Sequence, residues 1–484
     1  MNRRHFLSAL AAFGASPLAP SFLTPAMAAD TTGYKALVCL FLFGGNDSHN
    51  MVVPLTTAEY NTYAAARGGP AEANGLALPQ GSLLPIPGGL YGLHPAMPNL
   101  AALCTQGKLA IVANTGPLLA PTTLAQYRAR SVPLPPQLFS HSDMQSHWQT
   151  MRPDAPADSG WGGRLSDTFG TAATGLLPVS VTLGGGGIFM KGDTSSAFQV
   201  GRMRYANGGI DNRNRIARVP RADVDWNWTG GNPQALFVGN TRLVRANRVE
   251  EQWASVMEGA LDIGQFVNDG MYNATTVNGN TTYSLKVPVP GTWPTSGNGL
   301  AAQMHAVAAM IAARQALGVT RQVFFVSVGG FDNHGDQFGR DATTGNKTLL
   351  AGRHFDLLRQ VDVALSAFHQ ATVALGVANN VTTMTMSDFG RTLKSNGQGS
   401  DHGWGGHQFV LGGGVNGGRI VGGFPTVALG TASDVGEGRL LPNIASDTYA
   451  ATFAKWLGAT EGELDAVFPN LSRFPARTLT DLML

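Results

Sequence analysis

The chain has 484 residues, of which 13% are charged against roughly 25% in typical globular proteins, and 62 are glycine. That composition predicts many tight turns around a large buried sheet and excludes a disordered chain. A formal net charge of +2 gives no global field for nucleic acid or an anionic surface. The two cysteines, Cys39 and Cys104, form no metal or redox motif; Cys39 falls in an apolar run, so a disulfide and two buried thiols both stay open.

The opening "MNRRHFLSALAAFGASPLAPSFLTPAMAAD" has a basic start, an apolar middle and a small-residue end. This is the layout of a secretory signal, and Arg3-Arg4 before Phe6-Leu7 gives it a twin-arginine character. "AMA" at 26–28 fits a cleavage site, so residues 1–28 are expected to be removed on export to the periplasm or exterior, with the translocase as transient partner. No later stretch has the roughly 18 uninterrupted apolar residues of a membrane helix.

"ALVCLFLF" (36–43) reads as a strand buried on both faces. "KLAIVANTG" (108–116), "LPVSVTLGGGG" (177–187), "RQVFFVSVGG" (321–330) and "VTTMTMSDFG" (381–390) predict further strands. Helical spacing appears in "MPNLAALCTQG", in an alanine-rich run before residue 321 and in "HFDLLRQVDVALSAFHQATVALG" (354–376). Strands alternating with helices predict an α/β fold over about 30–484, a mainly parallel sheet sandwiched by helices. The arginine-rich 201–221, a helical stretch around 236–268 and a polar segment at 274–299 predict an inserted cap at about 195–300. Its arginines suit an acidic substrate or a solvated loop.

In open α/β sheets, ligands bind beyond the carboxyl ends of the strands. The first strand ends in "GGNDSHN", the fourth in "GGFDNHGD" and the next in "SDFGRT", followed by "SDHGWGGHQF"; "QLFSHSDMQSHWQT" follows the second. Aspartate and asparagine there also serve turns, but turn chemistry does not explain the histidines gathered with them. Asp and His suit Zn²⁺, Mn²⁺ or a similar divalent ion, which acts as a Lewis acid on an oxyanion or ionises water. Ser140 and Ser142 are candidate nucleophiles or helix caps. The planar fork of Arg391 suits a phosphate or sulfate, or a structural carboxylate. A dinucleotide-dependent redox enzyme is not supported, because "GGGVNGG" (412–418) lacks the glycine spacing and context.

Together, "NRRHFL", "LFGGNDSHNMVVPL", "LFSHSDMQSHWQT", "VGGFDNHGDQ" and "MSDFGRTLKSNGQGSDHGWGGHQFVLGGGVNGGRIVGG" resemble the exported bacterial proteins of domain-of-unknown-function family 1501, from about residue 34 to 480. That family is similar to the alkaline phosphatase/sulfatase superfamily. The resemblance implies an alkaline-phosphatase-like fold and Asp/His metal ligands at strand ends. Carried over, it implies ligands at Asp47, Asp332, His334 and Asp388, with His402 or His407 completing the set around Zn, Mn or Ca. The spacing departs from the superfamily, which commonly has its Asp and His four apart where Asp332 and His334 are two apart, and Asp-His where this chain has Asp388-Phe389. The expected function is metal-dependent hydrolysis of small or polymeric phosphate or sulfate esters. The alternative is a non-catalytic cell-envelope binding or assembly protein on the same fold.

Overall fold

A computed structural model describes residues 29–170, 177–185, 187–200, 247–277, 280–294 and 297–484. The expected export signal at 1–28 and residues 201–246 of the expected cap lie outside the described residues.

The sheet strands in chain order are β1 Lys35–Phe43, β2 Leu109–Gly116, β3 Ser180–Thr182, β4 Phe198–Gln199, β5 Arg321–Gly329 and β6 Val381–Ser387. After β6 come β7 Arg391–Ser395 and β8 Ser400–His402, which pair only with each other, then β9 Gly406–Gly412, β10 Arg419–Val421 and β11 Ile444–Ala445. Among the described residues the main sheet has nine strands, in the order β10-β2-β9-β6-β1-β5-β3-β4, with β11 on β2. β1 sits at its centre, parallel to β5 on one side and β6 on the other. β9 is antiparallel to both β6 and β2. The class is therefore α/β with a mixed, mainly parallel sheet.

The helices that matter for the site are α1 Pro98–Thr105, α2 Leu124–Ala129, α3 His141–Thr150, α4 Trp161–Phe169, α5 Arg248–Met271, α6 Gly299–Ala312, α7 Arg353–Ala374 and α8 Ser446–Leu457. Side chains alternate along a strand, and β1 divides accordingly. Val38, Leu40 and Leu42 join a core layer with α1, α6 and α7, whereas Leu37, Cys39 and Phe41 join a layer with α4 and α8. A strand covered on both sides has no solvent face, which is why its sequence shows no polar alternation. α7 places Leu357, Val361, Leu365 and Phe368 on the first layer at helical spacing. Cys39 and Cys104 are buried in opposite layers as free thiols.

The described residues of the expected insertion include β4, which joins the main sheet beside β3, and α5 followed by a hairpin of Tyr272–Val277 and Asn280–Leu285. Val267, Met271 and Tyr272 bury against the α6/α7 layer. Among the described residues no helix is long and apolar enough to cross a membrane.

Candidate metal centre

Three parallel neighbours, β6, β1 and β5, end side by side, so their tails share one rim of the sheet. Gly44 and Gly45 end β1 with φ of 112° and 80°. A side-chain carbon on Gly44 would collide with the backbone of Phe331 and Asp332, and one on Gly45 with the Phe389 ring. The glycines thus let the three tails close up. Their carbonyls accept from Arg391, Gly45 O from Nε at 2.8 Å and Gly44 O from Nη2 at 2.6 Å, and Ser400 O accepts from Nη1 at 2.5 Å. The same Nη2 holds Asp332 Oδ1. Arg391 is fully buried, and its fork is occupied by backbone carbonyls and Asp332, so it positions Asp332 and offers no open face to an oxyanion.

Three imidazoles converge on the Asp332 carboxylate. His141, the first residue of α3, approaches Oδ2 through Nε2 at 3.3 Å. His402, at the end of β8, approaches Oδ1 through Nε2 at 3.3 Å, and His334 approaches Oδ1 through Nε2 at 3.0 Å. Each ring is held by its other nitrogen on an acceptor: His141 Nδ1 on Asp388 Oδ2 at 2.6 Å, His334 Nδ1 on Asp401 Oδ1 at 2.8 Å, and His402 Nδ1 on the Phe139 carbonyl at 2.7 Å. An acceptor at Nδ1 puts the ring proton there and leaves the Nε2 lone pair aimed at a carboxylate. Lone pairs facing an anion at hydrogen-bond distance call for a cation or shared protons between them. One ligand atom from each of His141, Asp332 and His402 lies within 4.8 Å of the others, a group able to hold a metal ion.

The electrostatics agree. Burial works to raise the Asp332 pKa, but the bond and charge of Arg391, with His141 and His334, hold it below the usual carboxylate range. Burial, with the charges of His141 and Arg391, pushes the His402 pKa down against its Phe139 bond, so the ring is a neutral donor at neutral pH. His141 is raised, first by its bond to Asp388. A cation bound there would therefore have to displace a proton that His141 holds more tightly than an ordinary imidazole, whereas His402 offers its nitrogen unprotonated.

Imidazole with carboxylate suits Zn²⁺ or Mn²⁺ better than Ca²⁺, which takes all-oxygen shells. The three donors of His141, Asp332 and His402 sit on an exposed rim, the Asp332 side chain being 46% exposed, and so leave a divalent ion open to a further ligand.

The other expected site residues lie elsewhere. Asp388 is fully buried, accepts from Gly44 N at 3.1 Å, Gln145 Nε2 at 2.8 Å and His141, and so sits behind a histidine. Asp47 is buried against Arg67, with Gln337 Nε2 donating to Oδ2 at 2.5 Å; burial raises its pKa, but Arg67, His354, His49 and the Gln337 bond together outweigh that and hold it at about 2. His407 is inside the sheet on β9, stacked on Phe424 with centroids 4.6 Å apart, its Nδ1 accepting from Asn114 N at 3.1 Å. Ser140 stands at the N-cap of α3, yet its hydroxyl donates to Asp143 Oδ2 at 2.6 Å and lies 3.2 Å from the Ser142 hydroxyl, which reaches the same carboxylate oxygen. His141 and Asp401 belong to the cluster and were not among the expected site residues. The sequence signal for His141 was its place in "FSHSD", where the flanking serines drew attention as nucleophiles or caps.

Residues 254–442 match the model of a family described as "Protein of unknown function (DUF1501)". This is a shorter span than the motifs indicated; it holds Asp332, His334, Asp388, Asp401 and His402 but not His141. Among solved structures, the chain is similar to Ps i-CgsB in complex with k-i-k-neocarrahexaose, at 8% identity and a TM-score of 0.34, over 89% of this chain and 74% of that one. It is also similar to the PsFucS1 sulfatase from Pseudoalteromonas sp., at 11% identity and a TM-score of 0.33, over 89% and 68%. No curated protein matches the sequence.

Proposed function

We propose that this chain is an exported, metal-dependent hydrolase of phosphate or sulfate esters, with His141, Asp332 and His402 holding one divalent cation and His334 as a fourth donor. The reading rests above all on one observation: three imidazoles, each pinned through Nδ1, turn Nε2 toward one carboxylate. Carboxylate or carbonyl partners behind metal-binding histidines are the usual way such rings are oriented. Bound there, Zn²⁺ or Mn²⁺ would supply Lewis acidity toward an ester oxyanion and toward water. The chain's own part is to fix the donors: Arg391 anchors Asp332, Asp388 anchors the start of α3 through His141 and Gln145, and Phe139 anchors His402. The open rim admits a substrate from solvent.

One observation favours the alternative of a non-catalytic envelope binding protein. The Ser140 and Ser142 hydroxyls bond to each other and to Asp143, and among the described residues neither bonds to Asp332 or to the histidines around it. The two readings part on one experiment. Purified mature protein loaded with Zn²⁺ or Mn²⁺ is assayed for metal content and for turnover of 4-nitrophenyl phosphate and 4-nitrophenyl sulfate. The hydrolase reading expects about one metal per chain and turnover that Asp332→Ala removes together with the metal. Stoichiometric metal without turnover of either ester leaves the binding protein, and no retained metal removes the metal-dependent hydrolase.

A further inference from the structure

The loop that positions His402 also builds a cleft of about 620 Å³, within the range of small-molecule sites. Tyr127, Arg128, Arg130, Leu134, Leu138 and Phe139 line it. Phe139 belongs to both places, since it lines the cleft while its carbonyl holds His402 at 2.7 Å; its ring lies 5.4 Å from the Arg439 guanidinium. The cleft and the metal-ligand cluster are therefore joined through one residue.

Its wall is a fixed structure. α2 starts from a capping box of Thr123 and Gln126 and ends at Arg130, which has a φ of 50°. Gln137 and Phe139 also take positive φ, 50° and 73°, a conformation non-glycine residues adopt at a cost of about 1–3 kcal/mol. Pro133, Pro135 and Pro136 stiffen the run between them. His147 Nε2 donates to Pro136 O at 2.9 Å, so α3 and His402 together tie down the end of the wall that leads into α3.

Arg128 and Arg130 are exposed along this wall, and among the described residues neither has a carboxylate partner. Two unneutralised guanidiniums, two aromatic rings and leucines are the chemistry that receives a ring bearing a negative charge. We propose that this cleft is a subsite for the alcohol portion of the ester, and that it selects a ring carrying a second anionic group, such as a sulfate, phosphate or carboxylate. This rests on the hydrolytic reading for its orientation, with the scissile group at Asp332 and the second anion at the arginines.

Two unreactive probes test the cleft without requiring turnover. Benzenesulfonate carries one anion and benzene-1,4-disulfonate two, and their affinities for metal-loaded protein are measured by calorimetry at low and high salt. The disulfonate should bind about tenfold more tightly at low salt, with the margin shrinking as salt screens exposed charge. Arg128→Gln/Arg130→Gln should abolish that margin and leave the metal content and the melting temperature unchanged. A margin that survives in the double variant, no margin in the wild type, or binding of neither probe overturns the subsite. A margin carried by the arginines in a protein that turns over no ester keeps the cleft and removes the hydrolase. Ester turnover without any margin does the reverse.

Discussion

At the residue scale, the division between ligands and the groups behind them decides the chemistry. Asp388 carries the sequence signature of a ligand: it follows a buried strand at the sheet rim. Yet it is fully buried and accepts three hydrogen bonds, among them the one that orients His141. Residues that orient a ligand typically change metal affinity by about 10- to 100-fold when replaced. Asp388→Asn should weaken Zn²⁺ binding in a competition titration by that factor while metal stoichiometry at saturating ion stays unchanged. Total loss of stoichiometry would instead make Asp388 a ligand, and unchanged affinity would remove His141 from the set. The sequence shows which residue types meet here, because aspartate and histidine at strand tails have few other reasons to gather. It does not show which stands in front. Asp47 and Asp332 look alike as strand-tail carboxylates, and only the fold brings Arg67 onto Asp47, from 20 residues along the chain.

At the element scale, the strands buried on both faces were the legible part. β1, β5 and β6 appear in the sequence as continuous apolar runs because both their faces are covered, and their parallel neighbourhood follows from the intervening helices. β9 was not legible. Its "GHQFVLG" carries a histidine and two glycines like the tails beside it, and its place between β6 and β2 depends on long-range pairing that no local pattern encodes. His407 was expected as a ligand for that reason, and β9 carries it into the sheet interior instead. The junction of β1 with β5 has its own test. A methyl at Gly44 would meet the Phe331 backbone at 2.9 Å and the Asp332 amide closer still, on top of a φ of 112°. Gly44→Ala should cost at least about 2 kcal/mol in urea unfolding and weaken metal binding by moving Asp332. Gly33→Ala is the control: its φ is 63° with nothing within 4 Å, so it should cost about 1–2 kcal/mol and leave metal affinity alone. Equal effects of the two substitutions on metal binding would remove the link between this turn and the site.

At the scale of the whole molecule, stability should depend on pH through a group outside the metal cluster. Asp447, in the first turn of α8, is fully buried, with one carboxyl oxygen lacking any hydrogen-bond partner and the other 3.4 Å from the Ser446 hydroxyl. Burial pushes its pKa from 3.8 up to about 7, because the charged form has too few donors to replace water. The unfolded chain releases this proton near pH 4, whereas the folded chain keeps it to about pH 7. Between those values the folded state binds more protons, so the contribution is fully present below about pH 4, declines as pH rises to about 7, and is then level. The span corresponds to at most about 4 kcal/mol. Since other groups titrate in the same window, the informative quantity is the difference between wild type and Asp447→Asn, whose amide stays neutral throughout. That difference, from urea unfolding at pH 4, 5, 6, 7 and 8, should grow in favour of the variant up to about pH 7 and then stop. A constant difference across the range would mean that Asp447 ionises in the folded protein as readily as in the unfolded chain. α8 packs against β1 on the face that holds Phe41 and Cys39, so the penalty would be carried by the sheet that presents the rim.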